Sequence, residues 1–306
     1  MKAKVLFILC CLLQISYVVN AQIVSPPYKN IMIDSTYEHT KWGISPSDSL
    51  YHFAAYTTSF DSDDDDNNDG TPDKWGIPEW VAYEVKKHEG PDPTSSRPSS
   101  WLTDKDLNMI GVAPNDATYH VRGTQDMKEV SGNSRYVRGH MCPKDAAERV
   151  SSDAAFNTHT VLNAVPQLQW QNNEVWKYLE EDITEWADKY ERIWVICGPV
   201  FFNKTPAVWL GQNEEVKAAV PDALFKILIR EATNSTGVET LTFLIPNVNP
   251  NDKDLYAEFL VSIDRIEEVT GLTFLTEMEI SIQIEEKAKN KDLTMSQKLI
   301  VVEGWE

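Results

Sequence analysis

The sequence predicts an α+β fold with one central mixed or antiparallel sheet flanked by helices. Three observations lead there. "RIWVICGPVF" and "ALFKILIR" are near-continuous apolar runs, the pattern of strands covered on both faces. "NNEVWKYLEEDITEWADKY" carries Val175, Trp176, Leu179, Ile183, Trp186 and Tyr190 at helical i, i+3, i+4 spacing. Strands and helices follow one another in mixed order with no internal repeat. With 306 residues, 42% hydrophobic, the chain can bury a sizeable core.

Residues 1–21 read as a secretory signal peptide. Lys2 and Lys4 precede the apolar "VLFILCCLLQISYVV", and Ala21 offers a cleavage point before Gln22. The run is shorter than the ~20 residues a membrane span needs. A secreted or periplasmic protein with no membrane association is expected. Residues 22–47 form an N-terminal segment, 48–280 the main domain, and 281–306 a charged tail.

Within the main domain, "SLYHFAAYTT" (49–58) and "WVAYEVKK" (80–87) read as two strands around an acidic loop. "RYVRGH" is a short strand. "PKDAAERVSSDAAF" is helix-compatible. "THTVLNAVPQ" (158–167) reads as a buried strand stopped by Pro166. "VETLTFLIP" is another strand. "SIDRIEEVTG" is a short helix with Ser262 as cap and Gly271 as stop.

The formal net charge of −19 becomes about −21 once Lys2 and Lys4 leave with the signal. Such a body excludes a general nucleic-acid coater, which would show a basic stripe. Cys142 and Cys197 remain after cleavage. They can pair in an oxidising compartment or stay free, and two cysteines alone make no zinc site.

"RYVRGHMCPKD" (135–145) sets Arg138 two residues before His140. That pattern fits a strand end with a chance histidine. It also fits a site that grips phosphate with a guanidinium and activates water with an imidazole. On the long helix, Glu180 stands four residues after Trp176 and three before Ile183, at the border of the apolar stripe. A carboxylate there needs a partner. Asn172, eight residues earlier, lies about 80° around an α-helix from it. Two readings remain open from the helix alone: Asn172 as an N-cap with Glu180 paired to a lysine, or both facing one cleft.

"SGNSRYVRGHMCP" and "TVLNAVPQLQWQNNEVWKYLEE" resemble the DNA/RNA non-specific endonucleases, a ββα-metal (His-Me finger) family. The matching positions are Arg138-Gly139-His140, Asn163, Pro166, Gln167, Asn172, Trp176 and Glu180. "WVAYEV", "RPSSW", "ICGPVF", "VPDALFKILI", "FLIPN" and "SIDRIEEVTG" look like further landmarks in family order, over roughly residues 48 to 280.

The resemblance implies a ββα-metal motif and metal-dependent hydrolysis of DNA and RNA phosphodiesters, leaving a 5′-phosphate. It implies His140 as the general base. Asn172 is implied as the one direct protein ligand to magnesium, with manganese as an alternative. Glu180 is implied to hold water bound to the ion. The ion would stabilise the leaving 3′-oxygen. Arg138 and Arg97 are implied to contact the phosphate, and Asn163 to support the same cleft. Two departures stand out. Val137 replaces the acid usual before Arg-Gly-His, and Thr184 replaces an arginine often found four residues after the glutamate.

An acidic nuclease needs a local basic cleft. Arg97, Arg138, Lys144 and Arg149 are the cations near the motif, and steering of a polyanion by the rest should be poor. Trp101, Trp170 and Trp176 could stack bases, although Trp176 fits the helix core better. His39, His52, His88, His120 and His159 show no metal-ligand spacing, and only His159 lies near the motif. No serine-hydrolase elbow or phosphate-binding glycine loop occurs.

"DDNNDGTPD" (65–73) places Asp65, Asn67, Asp69, Gly70 and Asp73 at positions 1, 3, 5, 6 and 9 of an EF-hand-like calcium loop. Position 12 holds Gly76 instead of glutamate. Weak calcium binding and a solvated hairpin tip both fit. Two alternatives to a nuclease complete the expectations: a non-catalytic, calcium-stabilised binding protein of the same fold, and a phosphodiesterase for small substrates.

Overall fold

A computed structural model of the chain describes residues 27–47, 49–60, 75–91, 93–119, 129–130, 134–203, 205–211, 214–233, 237–248 and 255–306. Residues 1–21, read as a signal peptide, and the acidic loop with Asp65, Asn67, Asp69 and Asp73 lie outside the described residues, as does His120.

Counting strands of four residues or more, the described chain holds β1 (Ser49–His52), β2 (Thr57–Phe60), β3 (Pro78–Lys86), β4 (Ser134–His140), β5 (Ala164–Leu168), β6 (Arg192–Val200), β7 (Ala223–Glu231) and β8 (Val238–Pro246). Six of them form one sheet in the order β8-β7-β6-β3-β2-β1. Each pairing in it is antiparallel. Three short helices, α1 (Lys105–Met109), α2 (Lys144–Glu148) and α3 (Ser152–Asn157), precede the long α4, which runs from Gln169 to Tyr190. The expected α+β architecture is what the chain adopts.

β6 shows why its sequence is apolar from Ile193 onward. Ile193, Val195 and Cys197 enter the core on one face, while Trp194, Ile196 and Val200 enter a second core on the other. Alternation of side chains across a sheet covered on both sides makes any unpaired polar residue there costly. The first face carries β4, β5 and α4. The second carries α5 (Ile263–Thr270), capped by the Ser262 side chain and ended by Gly271 at φ 75°.

The segment 49–58 is two strands, not one. Phe53 N–H donates to the Tyr56 carbonyl at 2.8 Å, and the small pair Ala54-Ala55 makes the turn between β1 and β2. Residues 158–167 also differ from expectation. Val161–Asn163 is a 3-10 turn, and β5 starts at Ala164 with Pro166 inside it. Pro166 is tolerated because β5 is the edge of its three-stranded sheet, paired only with β4.

The tail is structured. α6 (Ile280–Ala288) and α7 (Met295–Glu303) follow, the second opened by a Thr294–Gln297 capping box. Trp305 then packs edge-on against Trp186 at 5.6 Å, under the Arg230 guanidinium. Contacts of Trp305 with Trp186 and Tyr190 and a cation draw the chain end onto α4, although composition alone marked it as a charged tail.

Candidate active site

β4 and β5 form a hairpin-like pair in which Arg138 faces Pro166, Gly139 faces Val165 and His140 faces Ala164. Directly after β5 the chain turns helical. α4 is continuous in three parts: Gln169–Gln171 in α geometry, Asn172–Trp176 in π geometry, and Lys177–Tyr190 in α geometry. Its first turn packs against β4. Leu168 is the N-cap, so the reading of Asn172 as a cap is set aside. The π segment winds more loosely than an α-helix. Eight residues therefore turn through less than the α value, and Asn172 comes round toward the face of Glu180.

Asn172 is partly exposed, and its Nδ2 donates to Asn173 Oδ1 at 3.2 Å. Its carbonyl oxygen is the atom a hard cation would take. Glu180 is 16% exposed, and its Oε1 accepts from Lys226 Nζ at 3.2 Å. Of the two helix readings, the lysine partner of Glu180 is present. Burial raises the Glu180 carboxyl above its ordinary range, and Lys226 opposes that shift. Lys226 is paired across the sheet with Cys197, whose Sγ lies 3.3 Å from the Met141 carbonyl, so the Glu180–Lys226 pair lies toward the end of β4.

His140 is partly buried and packed against two rings. Trp101 lies at 4.7 Å between centroids and His159 at 4.9 Å, nearly perpendicular. Its Nε2 is shielded from solvent and has no hydrogen-bond partner among the described residues. Burial, then His159, Arg97 and Lys144, push its pKa well below the ordinary imidazole value, which keeps the ring neutral. His159 is the residue that spacing alone did not select. Its Nδ1 lies 3.2 Å from the Ala155 carbonyl, which fixes that ring against His140.

Gly139 is required by geometry. A Cβ there would stand 1.5 Å from Gln167 Oε1. The Gln167 amide occupies that space and donates from Nε2 to Gln171 Oε1 at 2.7 Å. Asn163 supports the cleft from beneath. It is fully buried, its Oδ1 accepts from Cys142 N–H at 2.8 Å, and its Nδ2 donates to the carbonyls of Cys142 and Thr158. An amide so engaged locks the chain leaving His140.

The expected basic cleft also needs correction. Arg138 pairs with Asp116 at 2.5 Å, and its guanidinium lies near the rings of Trp101 and Tyr119. Lys144 pairs with Glu148. Arg149 makes a two-pronged pair with Asp188, 2.7 and 2.9 Å. Only Arg97 of the four is exposed without a carboxylate partner among the described residues. These carboxylates lie 4 to 39 residues from their cations in sequence, and charge counting could not pair them. Thr184, in the place of an arginine, donates to the Glu180 carbonyl at 2.9 Å, a local helical bond.

Among the described residues no three His, Cys, Asp or Glu side chains converge as a metal cluster. The donors present are one amide oxygen and one partly buried carboxylate beside a neutral imidazole. That set suits a hard, strongly hydrated cation bound largely through its own water. Gly76 bears on the calcium loop. Its φ is +64°, and a Cβ would meet the Lys217 carbonyl at 2.1 Å, so backbone packing excludes a ligating side chain at that loop's twelfth position. Trp176 is core, with the Lys226 ammonium 3.8 Å over its ring, whereas Trp170 is 52% exposed. Cys142 and Cys197 are free and buried, and the Cys197 thiol is pushed up to about 12 by burial.

An antiparallel strand pair ending in histidine, followed by a helix bearing asparagine and glutamate, is the ββα-metal arrangement. The family model described as DNA/RNA non-specific endonuclease matches residues 69–279, and the chain belongs to that family of nucleases. Human mitochondrial Endonuclease G is 29% identical over 189 residues, 58% of this chain and 61% of that protein. Mouse mitochondrial Nuclease EXOG is 30% identical over 158 residues, 49% of this chain and 43% of that protein. The chain thus spans less than two thirds of either. A Nostoc nuclease is 27% identical over 224 residues, 70% of this chain and 73% of that protein. A chain of the EndoG/EndoGI crystal structure, described as showing EndoG inhibition, shares the fold with a TM-score of 0.59 at 17% identity, covering 80% of this chain and 92% of that one. No helix among the described residues is long and apolar enough to cross a membrane.

Proposed function

We propose that this chain is an exported, divalent-cation-dependent endonuclease that hydrolyses DNA and RNA phosphodiesters without regard to the sugar. Family membership supports the reaction, and the leader-like residues 1–21 support export to a secreted or periplasmic location. The observation that carries the reading is the β4–β5–α4 assembly. It sets a neutral His140 at the end of one strand and Asn172 and Glu180 on the helix packed beside it.

His140 takes the proton from the attacking water, a role that needs the neutral ring its surroundings enforce. Arg97 contacts the phosphate directly. Arg138 does so by exchanging Asp116 for a phosphate oxygen. Asn172 and Glu180 would hold magnesium or manganese, the first directly and the second through its hydration. When bound, the cation supplies positive charge at the phosphate. Asn163 and Gln167 keep the strand pair in register beneath these groups.

A second reading, hydrolysis of small phosphodiesters, is favoured by the ion pairs that neutralise Arg138, Lys144 and Arg149. Plasmid DNA, RNA and a chromogenic diester are offered to wild type and His140→Ala, with Mg²⁺ or EDTA. The proposal expects cleavage of both polymers, abolished by EDTA and slowed on the order of 10²–10⁴-fold by the substitution. Hydrolysis of the small diester alone supports the second reading. Polymer cleavage by His140→Ala at the wild-type rate would overturn the assignment.

A further inference from the structure

We propose that Lys226 is a positioning residue of the active site, acting on the metal solely by fixing Glu180. The inference rests on the reading of Glu180 given above. Lys226 lies in the middle of β7, paired in register with Cys197 on β6 and Phe243 on β8. Its neighbours on the same face, Leu224 and Leu228, belong to the core under α4. Lys226 is itself 0% exposed. An ammonium in that place is costly unless it is paired, and nothing about the sheet calls for one.

What it meets is two residues of α4, one turn apart. Nζ is 3.2 Å from Glu180 Oε1 and 3.8 Å from the centre of the Trp176 ring. Trp176 closes the π segment that begins at Asn172. A single cation rising from the rigid centre of the sheet therefore grips the helix immediately after its wide turn. It also holds one oxygen of the carboxylate, which orients the other. A long carboxylate side chain at 16% exposure would otherwise be able to turn away from the cleft. The sheet, not the helix, thereby sets where the carboxylate stands relative to Asn172.

The test compares Lys226→Met, Glu180→Gln and the double variant with wild type. Mn²⁺ binding to the protein is read by electron paramagnetic resonance of the free ion, and Mg²⁺ dependence by DNA cleavage. Glu180→Gln is expected to weaken Mn²⁺ binding by about 10–100-fold. Lys226→Met should weaken it comparably, with the half-saturating Mg²⁺ concentration rising to match. The double variant should bind Mn²⁺ as Glu180→Gln does. It removes both members of a buried pair and is expected to fold even where Lys226→Met alone does not. Wild-type Mn²⁺ affinity in Glu180→Gln overturns the reading of Glu180, and the inference falls with it. Weakened binding in Glu180→Gln but wild-type binding in folded Lys226→Met overturns the inference alone, leaving the lysine a packing residue. A double variant that binds more weakly than Glu180→Gln also overturns it, because Lys226 would then act by another route.

Discussion

Gly139 and Gln167 claim the same space: the glutamine amide lies where a side chain on residue 139 would have to be, 1.5 Å from an ideal Cβ. The Arg-Gly-His sequence is therefore as much a packing device as a chemical one. Gly139→Ala must displace Gln167 and break its bond to Gln171. Overpacking of this kind costs about 1–3 kcal/mol. Urea unfolding should show that loss, and Gly139→Ala/Gln167→Ala should recover part of it. A Gly139→Ala protein as stable as wild type would show that the amide can move freely.

His140 is held neutral by burial and then by His159, Arg97 and Lys144. A general base, the role proposed for His140, works only when deprotonated, so activity is expected above its pKa and is lost as pH falls through it. The acid limb of kcat/KM should lie below the ordinary imidazole value of about 6.5. Replacing His159 by phenylalanine keeps the ring contact but removes a group that lowers the His140 pKa. The limb should then move to higher pH. Identical profiles for wild type and His159→Phe would exclude the electrostatic role.

His39 offers a stability counterpart. It is buried, its Nδ1 accepts the Glu84 N–H at 3.2 Å, and burial lowers its pKa to about 4. The unfolded chain binds the proton more tightly, so the contribution is fully present above about pH 6.5 and is lost progressively as pH falls toward about 4. The span corresponds to about 3 kcal/mol. Melting temperature measured against pH should fall less steeply for His39→Gln than for wild type over that window. Parallel curves would remove His39 from the acid response.

Arg138 stands 2.5 Å from Asp116, a carboxylate that a phosphate would have to displace in the role proposed for Arg138. Asp116→Asn should lower KM for long DNA at low salt. It should also steepen the log–log salt dependence by up to about 0.9, the increment for one more phosphate neutralised on duplex DNA. Cleavage of a small diester should change less. An unchanged KM and slope would mean that Arg138 meets no backbone phosphate.

Much of the candidate site was legible because its residues sit at fixed spacings within two short segments. His140, Asn172 and Glu180 needed no tertiary information to be singled out. Their surroundings did. Lys226 was hidden in an apolar run that correctly read as a central strand, and only the structure shows which face it takes. Asp116, Glu148 and Asp188 look like ordinary surface acids in a chain rich in them, yet each holds a cation. Pro166 read as a strand stop because sequence does not say which strand is an edge. The turn at Ala54-Ala55 has no glycine, proline or asparagine to announce it.

The wide turn at Asn172–Trp176 stores the phase of the site in a length of chain. Loss of one residue there would let the helix close to ordinary winding. Seven steps of ordinary winding turn through about 700°, close to two full turns, so Asn172 would keep nearly its present face relative to Glu180. The residue held in the wide turn is thus slack that the helix can give up: a single-codon deletion there would tighten the winding and leave the motif residues in step.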